Sequence, residues 1–370
     1  MKMAKAEETV LEIDLKALGH NYRFLRSKIK PETKFMAVVK AYAYGSDSVA
    51  IATYLQGLGI DYFSVAYVNE GVTLRKGGIT TPILVLHPQK VHFKTLIENN
   101  LEPSIYSKAI LSDFITVAKE MGKTNYPIHL KFNTGLNRLG FSVDELPEIS
   151  TRINHQKTVQ VIALLSHLAA TEDANETDFT NLQLERFDAI CQKADAMFKT
   201  KTIKHVLNTS GIINYAHAQH DMVRSGIGLY GYGNEPHVDD ELQPVMTLKT
   251  IISQKHTIAT GESVGYNRKY KSDHKTVTAT LPLGHADGIG REYGHGKTYV
   301  LIHDKPAPII GNVCMDMIMV DVTDIECEEG DEVEIFGKNL SANEFAETAN
   351  TITYEILTGL SQRIKRVLIN

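Results

Sequence analysis

No tryptophan occurs in the 370 residues, and only three cysteines do: Cys191, Cys314 and Cys327. Three widely spaced cysteines make neither a disulfide framework nor a Cys-x-x-Cys pair, which fits a reducing compartment. A basic excess is also missing. Lys and Arg total 39 against 44 Asp and Glu, a formal net charge of −5. No positive stripe is left to track phosphates, so a nucleic-acid partner is set aside. The chain has no uninterrupted apolar run of spanning length, and Met1 to Glu8 hold no apolar h-region. No membrane association and no signal peptide are expected, and the cytoplasm is the expected location. Internal repeats, low-complexity tracts and metal-ligand spacings are lacking too, and no metal is expected.

What the chain does have is a beat. After a strand-like run at Val10–Leu15, short apolar runs alternate with helical spacings. The runs are Phe35–Val39, Tyr62–Ala66, Pro82–Leu86, Pro103–Tyr106, Ile128–Phe132, Val159–Leu165, Ile203–Leu207 and Met222–Tyr230. Helical segments such as Ser48–Leu58, Ser107–Met121 and Asn181–Phe198 lie between them. Eight strands alternating with helices predict a parallel sheet closed into a (β/α)8 barrel, with an open doubly wound sheet as the rival. At Gly233–Pro244 the pattern breaks into a polar, acidic stretch that reads as a linker. Beyond it, period-two runs at Val245–Ser253, Thr276–Leu281, Thr298–Ile302, Ile318–Val322 and Glu332–Phe336 predict a β-rich domain. Ser341 with Glu344 three residues on is a capping box for a late helix over 341–350. The expected fold class is therefore α/β: an N-terminal (β/α)8 barrel over residues 1–240 followed by a C-terminal β-rich domain over 241–370.

Barrel enzymes keep their chemistry where strands end. The first run ends in AVVKAYAYG, so Lys40 emerges from an apolar strand. A partly desolvated lysine there has a lowered pKa, which favours the neutral amine needed for a Schiff base; a lone snorkelling lysine is the bland alternative. The fifth run ends in KFNTGLNRLG, bringing Lys131, Arg138 and two glycines together. Arg138 can fork onto a carboxylate or phenolate. The sixth ends in SHLAATED, giving His167. A flat imidazole can lie against an aromatic cofactor, though a lone histidine is more often structural. The seventh ends in NTSG, with Asn208 and Thr209, and the eighth contains MVRSGIGLYG, with Arg224, Gly226 and Ile227. Hydroxyls and glycines after strands seven and eight suit a phosphate cup, and an arginine inside a strand needs partners. The second domain offers SVGYNRKY (Tyr266), LGHADGIGR (His285, Asp287), NVCMDM (Met315, Asp316) and TITYEILTG (Tyr354). Chemistry alone assigns none of these.

Taken in order, these motifs resemble the alanine racemases, enzymes of the type III pyridoxal phosphate (PLP) fold, over nearly the whole chain. The resemblance implies a barrel followed by a β domain, with residues 10–15 joining that second domain. It also implies a homodimer with shared active sites. By position, Lys40 would carry PLP as a Schiff base, and Tyr44, Thr209, Gly226, Ile227 and Tyr354 would hold its phosphate, beside Asn208. Arg224 would face the pyridine nitrogen. His167 would lie beside the ring and link Arg224 to Tyr266. Arg138 would meet the cofactor phenolate and the substrate carboxylate. Lys131 matches a lysine often carbamylated in the family. Tyr266 and Met315 would come from the other subunit, and His285 and Asp316 would border the entrance. The implied activity interconverts L- and D-alanine by two-base proton transfer between Lys40 and Tyr266, supplying D-alanine for peptidoglycan. Three positions depart from the family pattern: His285 replaces a tyrosine, Asn133 an aspartate and Asn137 a glycine. The first leaves a broader amino-acid racemase open. A type III decarboxylase would need an acid facing the pyridine nitrogen, against Arg224, and a catalytic cysteine, for which only Cys314 offers itself. A non-catalytic PLP-binding protein is usually a barrel alone.

Overall fold

The computed structural model describes residues 6–233 and 235–369. They fall into two compact units. One unit comprises residues 19–43 and 48–243; the other comprises the described residues of 1–18, 44–47 and 244–370.

Strand β1 spans Val10–Asp14. Strands β2 (Lys34–Val38), β3 (Tyr62–Val65), β4 (Ile83–Val85), β5 (Glu102–Ile105), β6 (Tyr126–Lys131), β7 (Val159–Leu165), β8 (Ile203–His205) and β9 (Met222–Ser225) follow. Strands β2 to β9 form one parallel sheet in the order β8-β7-β6-β5-β4-β3-β2-β9. The ring closes through single backbone bonds: Arg224 N–H donates to Leu207 O at 3.1 Å and Asp221 N–H to Lys204 O at 3.1 Å. The expected barrel is thus present, and the open doubly wound sheet is not. Its strands read as apolar runs because both faces are covered: the inner side packs Met36, Tyr62, Leu84, Leu165 and Met222 into one buried cluster. The helices cover the outer side with amphipathic stripes. In Lys108–Glu120, Ser107 caps the N-terminus by accepting from Ile110 N–H, and Leu111, Phe114 and Ala118 are buried on one face.

The last barrel strand ends well before its apolar run does. The run expected at Met222–Tyr230 stops as a strand at Ser225 and turns into a 3-10 helix at Ile227–Tyr230. Glycine 226 and Gly228 break the extended chain there. The expected linker is also more ordered than its composition suggests. Pro236–Asp239 form a short helix, with Val238 and Leu242 buried; Asn234 lies outside the described residues.

The second unit is built on a nine-stranded sheet. Its further strands are β10 (Met246–Ile251), β11 (Gln254–Ile258), β12 (Ser263–Val264), β13 (Tyr270–Lys271), β14 (Thr276–Leu281), β15 (Tyr299–Ile302), β16 (Lys305–Ile310), β17 (Ile318–Asp321), β18 (Glu332–Phe336) and β19 (Lys365–Ile369). The order is β11-β14-β17-β16-β15-β18-β10-β1-β19, with β12 and β13 paired separately. Strand β1 lies here, antiparallel to β10 and parallel to β19. The period-two patterning misses β16 because Pro306 and Pro308 interrupt it. Both prolines are exposed, opposite Leu301 and Tyr299 of β15. The late helix runs Ala342–Thr348, with Ser341 Oγ accepting from Glu344 N–H at 3.1 Å.

Candidate active site

Lys40 follows β2, and the chain then does something unusual for L-residues. Ala41, Tyr42, Ala43 and Tyr44 have φ of 53°, 57°, 53° and 58°, with Gly45 at 84°. One left-handed residue costs about 1–2 kcal/mol, so four in a row need outside support. Glu70, on the helix Val68–Lys76, supplies it: one carboxylate oxygen accepts from Ala41 N–H at 2.5 Å, and the other from Ala66 and Tyr67 N–H at 2.7 and 2.9 Å. Ala43 N–H also returns to Val39 O at 3.1 Å. Gly45 is required where it stands, since a Cβ there would lie 1.9 Å from Leu357 O. Nothing in AVVKAYAYG announces this turn, and the clamp by Glu70 is non-local; sequence reasoning missed both.

The barrel brings Lys40, Lys131, Arg138, His167 and Arg224 within electrostatic reach of one another. Burial, then Arg138, lowers the pKa of Lys40, with Glu70 opposing. Lys131, at the end of β6, is pulled down to about 8 by burial and by Arg138, Arg224 and Lys40. His167 is held well below the usual histidine range by burial and the four cations, so it is neutral. The loop after β6 is shaped by its two departures from the family pattern. Asn133 accepts at Oδ1 from the Gly135 and Asn137 N–H groups, and donates through Nδ2 to Asn137 Oδ1 at 2.8 Å. Asn137 has φ of 56°, a conformation asparagine tolerates better than most residues. Arg138, next in the chain, is exposed.

Arg224 is 5% exposed, and burial lowers its pKa to about 10, so it stays a cation near neutrality. Its terminal nitrogens are fully engaged. Nη1 donates to His205 Nδ1 at 2.8 Å and His205 O at 2.9 Å. Nη2 donates to Ser166 O at 2.7 Å, Val206 O at 3.0 Å and His167 Nδ1 at 3.3 Å. This leaves Nε for a ligand. His205, missed by the sequence reading, is an interior partner that a strand-end search does not reach.

Beside β8 and β9, Thr209 and Ser225 hydroxyls meet at 2.9 Å, and Gly228 N–H points to Thr209 Oγ1 at 3.4 Å. A Cβ on Gly228 would lie 2.6 Å from Thr209 Cγ2. Asn208 caps the helix Thr209–Asn214 by accepting from Gly211 N–H at 2.9 Å, and Thr171 Oγ1 donates to it at 2.8 Å. Asn208 is therefore a cap that holds the cup in shape.

In the second unit, Tyr44 and Tyr354 pair their rings at 6.0 Å, and burial keeps Tyr44 a phenol. Tyr266 is 71% exposed and Met315 58%. Tyr266 opens a 3-10 turn between Gly265 and Asn267, both at positive φ. Its carbonyl accepts from Asn312 Nδ2 at 2.9 Å. The turn holding His285 is docked on the loop that carries Met315, just before β17. His285 N–H donates to Cys314 O at 2.9 Å and Ala286 N–H to Met315 O at 3.0 Å. Arg363, also missed, forks onto buried Asp287 at 2.7 and 2.8 Å and reaches Asp316 at 2.7 Å. His285 itself is exposed.

A barrel whose mouth gathers a partly desolvated lysine, a second buried lysine and two arginines, in a chain that continues into a β-rich sheet, is the frame of an enzyme that handles anionic substrates by amine chemistry. The family comparison is narrower. Residues 13–234 match the family profile described as alanine racemase, N-terminal domain, and residues 245–368 that described as alanine racemase, C-terminal domain. The chain belongs to the alanine racemase family. It is 35% identical to the alanine racemase of Citrifermentans bemidjiense, over 98% of both chains. The solved alanine racemase of Clostridium difficile 630 superposes with a TM-score of 0.92 at 32% identity, covering 99% of this chain and 97% of that one. The alanine racemase of Bartonella henselae, solved with covalently bound pyridoxal phosphate, superposes with a TM-score of 0.87 at 30% identity, over 98% and 100%. No helix among the described residues is long and apolar enough to cross a membrane.

Proposed function

We propose that this enzyme is a PLP-dependent racemase that interconverts L- and D-alanine, with Lys40 and Tyr266 as its two bases. One observation carries the reading: a lysine with a lowered pKa shares a barrel mouth with two arginines, one of which is buried with only Nε unspent. The residues present suit the cofactor. Lys40 can bond its aldehyde, Nε of Arg224 suits its ring nitrogen, and Thr209 with the backbone of Gly226 and Ile227 suits its phosphate, the cup being pressed tight at Gly228. Bound there, PLP supplies an electron sink for the pair left when the α-proton departs. Arg224 remains protonated and would offer a ring nitrogen at Nε only a donor, so that nitrogen would stay unprotonated, which would weaken the sink and disfavour transamination.

Lys40 takes or returns the α-proton on one face; burial and Arg138 favour the neutral amine that this needs. Tyr266 does so on the other face. Its exposure fits a role in a partner's site, as does that of Met315. Neutral His167 accepts from Arg224 at Nδ1, so its proton sits on Nε2 and can be donated to the Tyr266 oxygen. Arg138 holds the substrate carboxylate. Lys131, pulled down to about 8, has the amine reactivity that carbamylation requires, and the anion so formed would balance Arg138. His285 at the entrance leaves room for side chains larger than methyl. A cytoplasmic homodimer that supplies D-alanine for peptidoglycan follows from the same family reading.

The decarboxylase reading fares worse. Arg224, not an acid, is the residue this reading sets against the ring nitrogen, and burial raises the pKa of Cys314. The test is α-proton exchange in D2O followed by NMR, with L-alanine, L-serine and L-lysine offered separately. Deuterium wash-in with D-alanine formation and no CO2 is expected; CO2 release from lysine would overturn the reading.

A further inference from the structure

Arg224 is a buried cation, and no carboxylate is among its direct partners. Its counter-charge lies two imidazoles away. From Arg224 Nη1 the contacts run to His205 Nδ1 at 2.8 Å, from His205 Nε2 to His129 Nδ1 at 3.3 Å, and from His129 Nε2 to Glu102 Oε2 at 2.8 Å. His129 and His205 are both fully buried, and their rings meet edge to face at 5.5 Å. The chain crosses the barrel interior from the first residue of β5, through the middle of β6, to the ends of β8 and β9. At His129 the β6–β7 register shifts, between Ile128 and His129.

The donors and acceptors allow one solution. A guanidinium only donates, so His205 Nδ1 must accept and its proton must sit on Nε2. That proton goes to His129 Nδ1, which must accept in turn. His129 then carries its proton on Nε2 and gives it to Glu102. A protonated His129 would force His205 to accept at both nitrogens, which a neutral imidazole cannot do. Burial and the Arg224 charge hold His205 neutral, as this solution requires. The Tyr62, Arg75 and Tyr126 side chains lie within the field of the Glu102 carboxylate.

We propose that Glu102 is a positioning residue for Arg224, acting through a one-way hydrogen-bond chain over His129 and His205 that fixes the guanidinium against the cofactor's ring nitrogen. The chain itself is independent of the cofactor; only its link to the ring nitrogen rests on the function proposed above. An all-apolar residue at position 102 would leave the His129 proton without an acceptor in a buried site, where chains of hydrogen bonds polarise one another and a missing partner is felt along the line.

The test uses the full chain labelled with 15N-histidine, the two rings assigned with His129→Gln and His205→Gln. In the unsubstituted enzyme both rings should be neutral with the proton on Nε2. Glu102→Gln, whose amide oxygen still accepts, should keep that pattern. Glu102→Leu leaves the Arg224 end of the chain in place, so the tautomers should persist, but it should shift the visible absorbance of bound PLP and lower kcat about tenfold with KM for alanine within about twofold. An imidazolium at His129, or an Nδ1 proton on His205, in the unsubstituted enzyme would overturn the proposal whether or not the variants fold. So would wild-type absorbance and wild-type kcat in Glu102→Leu. Wild-type tautomers in a protein that captures no PLP would instead overturn the cofactor reading and, with it, the link to the ring nitrogen.

Discussion

In the barrel, Lys131 is 8% exposed and Arg224 5%, and His167 is kept neutral by burial among four cations. In the β-rich unit, Tyr266 is 71% exposed, Met315 58%, and His285 lies open on its turn. Desolvation acts on the first group within the folded unit: the amines of Lys40 and Lys131 become easier to deprotonate, and Arg224 is locked by carbonyls and imidazoles. The second group gets rigidity instead, from Arg363 tying Asp287 to Asp316 and from Asn312 holding the Tyr266 carbonyl. A tyrosine with a reference pKa near 10 gains nothing as a base from water around it. It needs cations beside it, and on the function proposed above the barrel mouth of another copy would supply them. One unit carries groups already tuned by burial; on the proposed reading, the other presents groups whose tuning would come from a partner.

The comparison breaks first at Lys40. Lys40→Ala should lower kcat/KM for alanine racemisation by at least about 10³-fold, because it removes both the covalent anchor and one base; polarimetry against purified D- and L-alanine checks it. Tyr266→Phe should follow, with a loss of about 10²–10⁴-fold, while PLP capture by Lys40 persists. If Tyr266→Phe instead lost the cofactor, the division between tuned and presented groups would fail.

Glu70 sharpens the barrel side. Glu70→Gln should destabilise the enzyme by about 1.5–3 kcal/mol, read in a denaturant melt, since charged acceptors for Ala41, Ala66 and Tyr67 N–H are weakened. Glu70 also raises the pKa of Lys40 against burial and Arg138. Removing its charge should therefore lower that pKa further, and the rate of PLP capture by cofactor-free protein should reach half-maximum at lower pH. Smallest is the entrance. His285→Tyr should lower the ratio of serine to alanine racemisation by up to about tenfold, with alanine turnover little changed; separate kcat/KM values for the two amino acids decide it.

The sequence made the barrel readable because every strand buried on two faces is an apolar run, and because Lys40, Lys131, His167 and Arg224 stand at or near the ends of such runs. It made much of the second sheet readable through period-two alternation. It did not reveal Lys305–Ile310, where two prolines mask a strand, nor Gln254–Ile258, a polar edge strand. Nor did it reveal Glu70, Glu102, His129, His205 or Arg363. Each acts on a residue far away in the chain, and a glutamate or histidine in a strand or helix looks the same whether it is solvated or clamps an active-site loop. The left-handed turn after Lys40 is hidden for a related reason: alanine and tyrosine carry no preference for it, and its support comes from elsewhere in the fold.

The central claim, a site completed between two copies, is tested most directly by mixing Lys40→Ala with Tyr266→Phe, each nearly inactive, under conditions that exchange subunits. Half of the randomised dimers would be mixed, and one of the two sites in each would hold both an intact Lys40 and an intact Tyr266. The account predicts recovery to about a quarter of wild-type activity. Mixed dimers, verified with two different tags, that stay as inactive as their parents would contradict it.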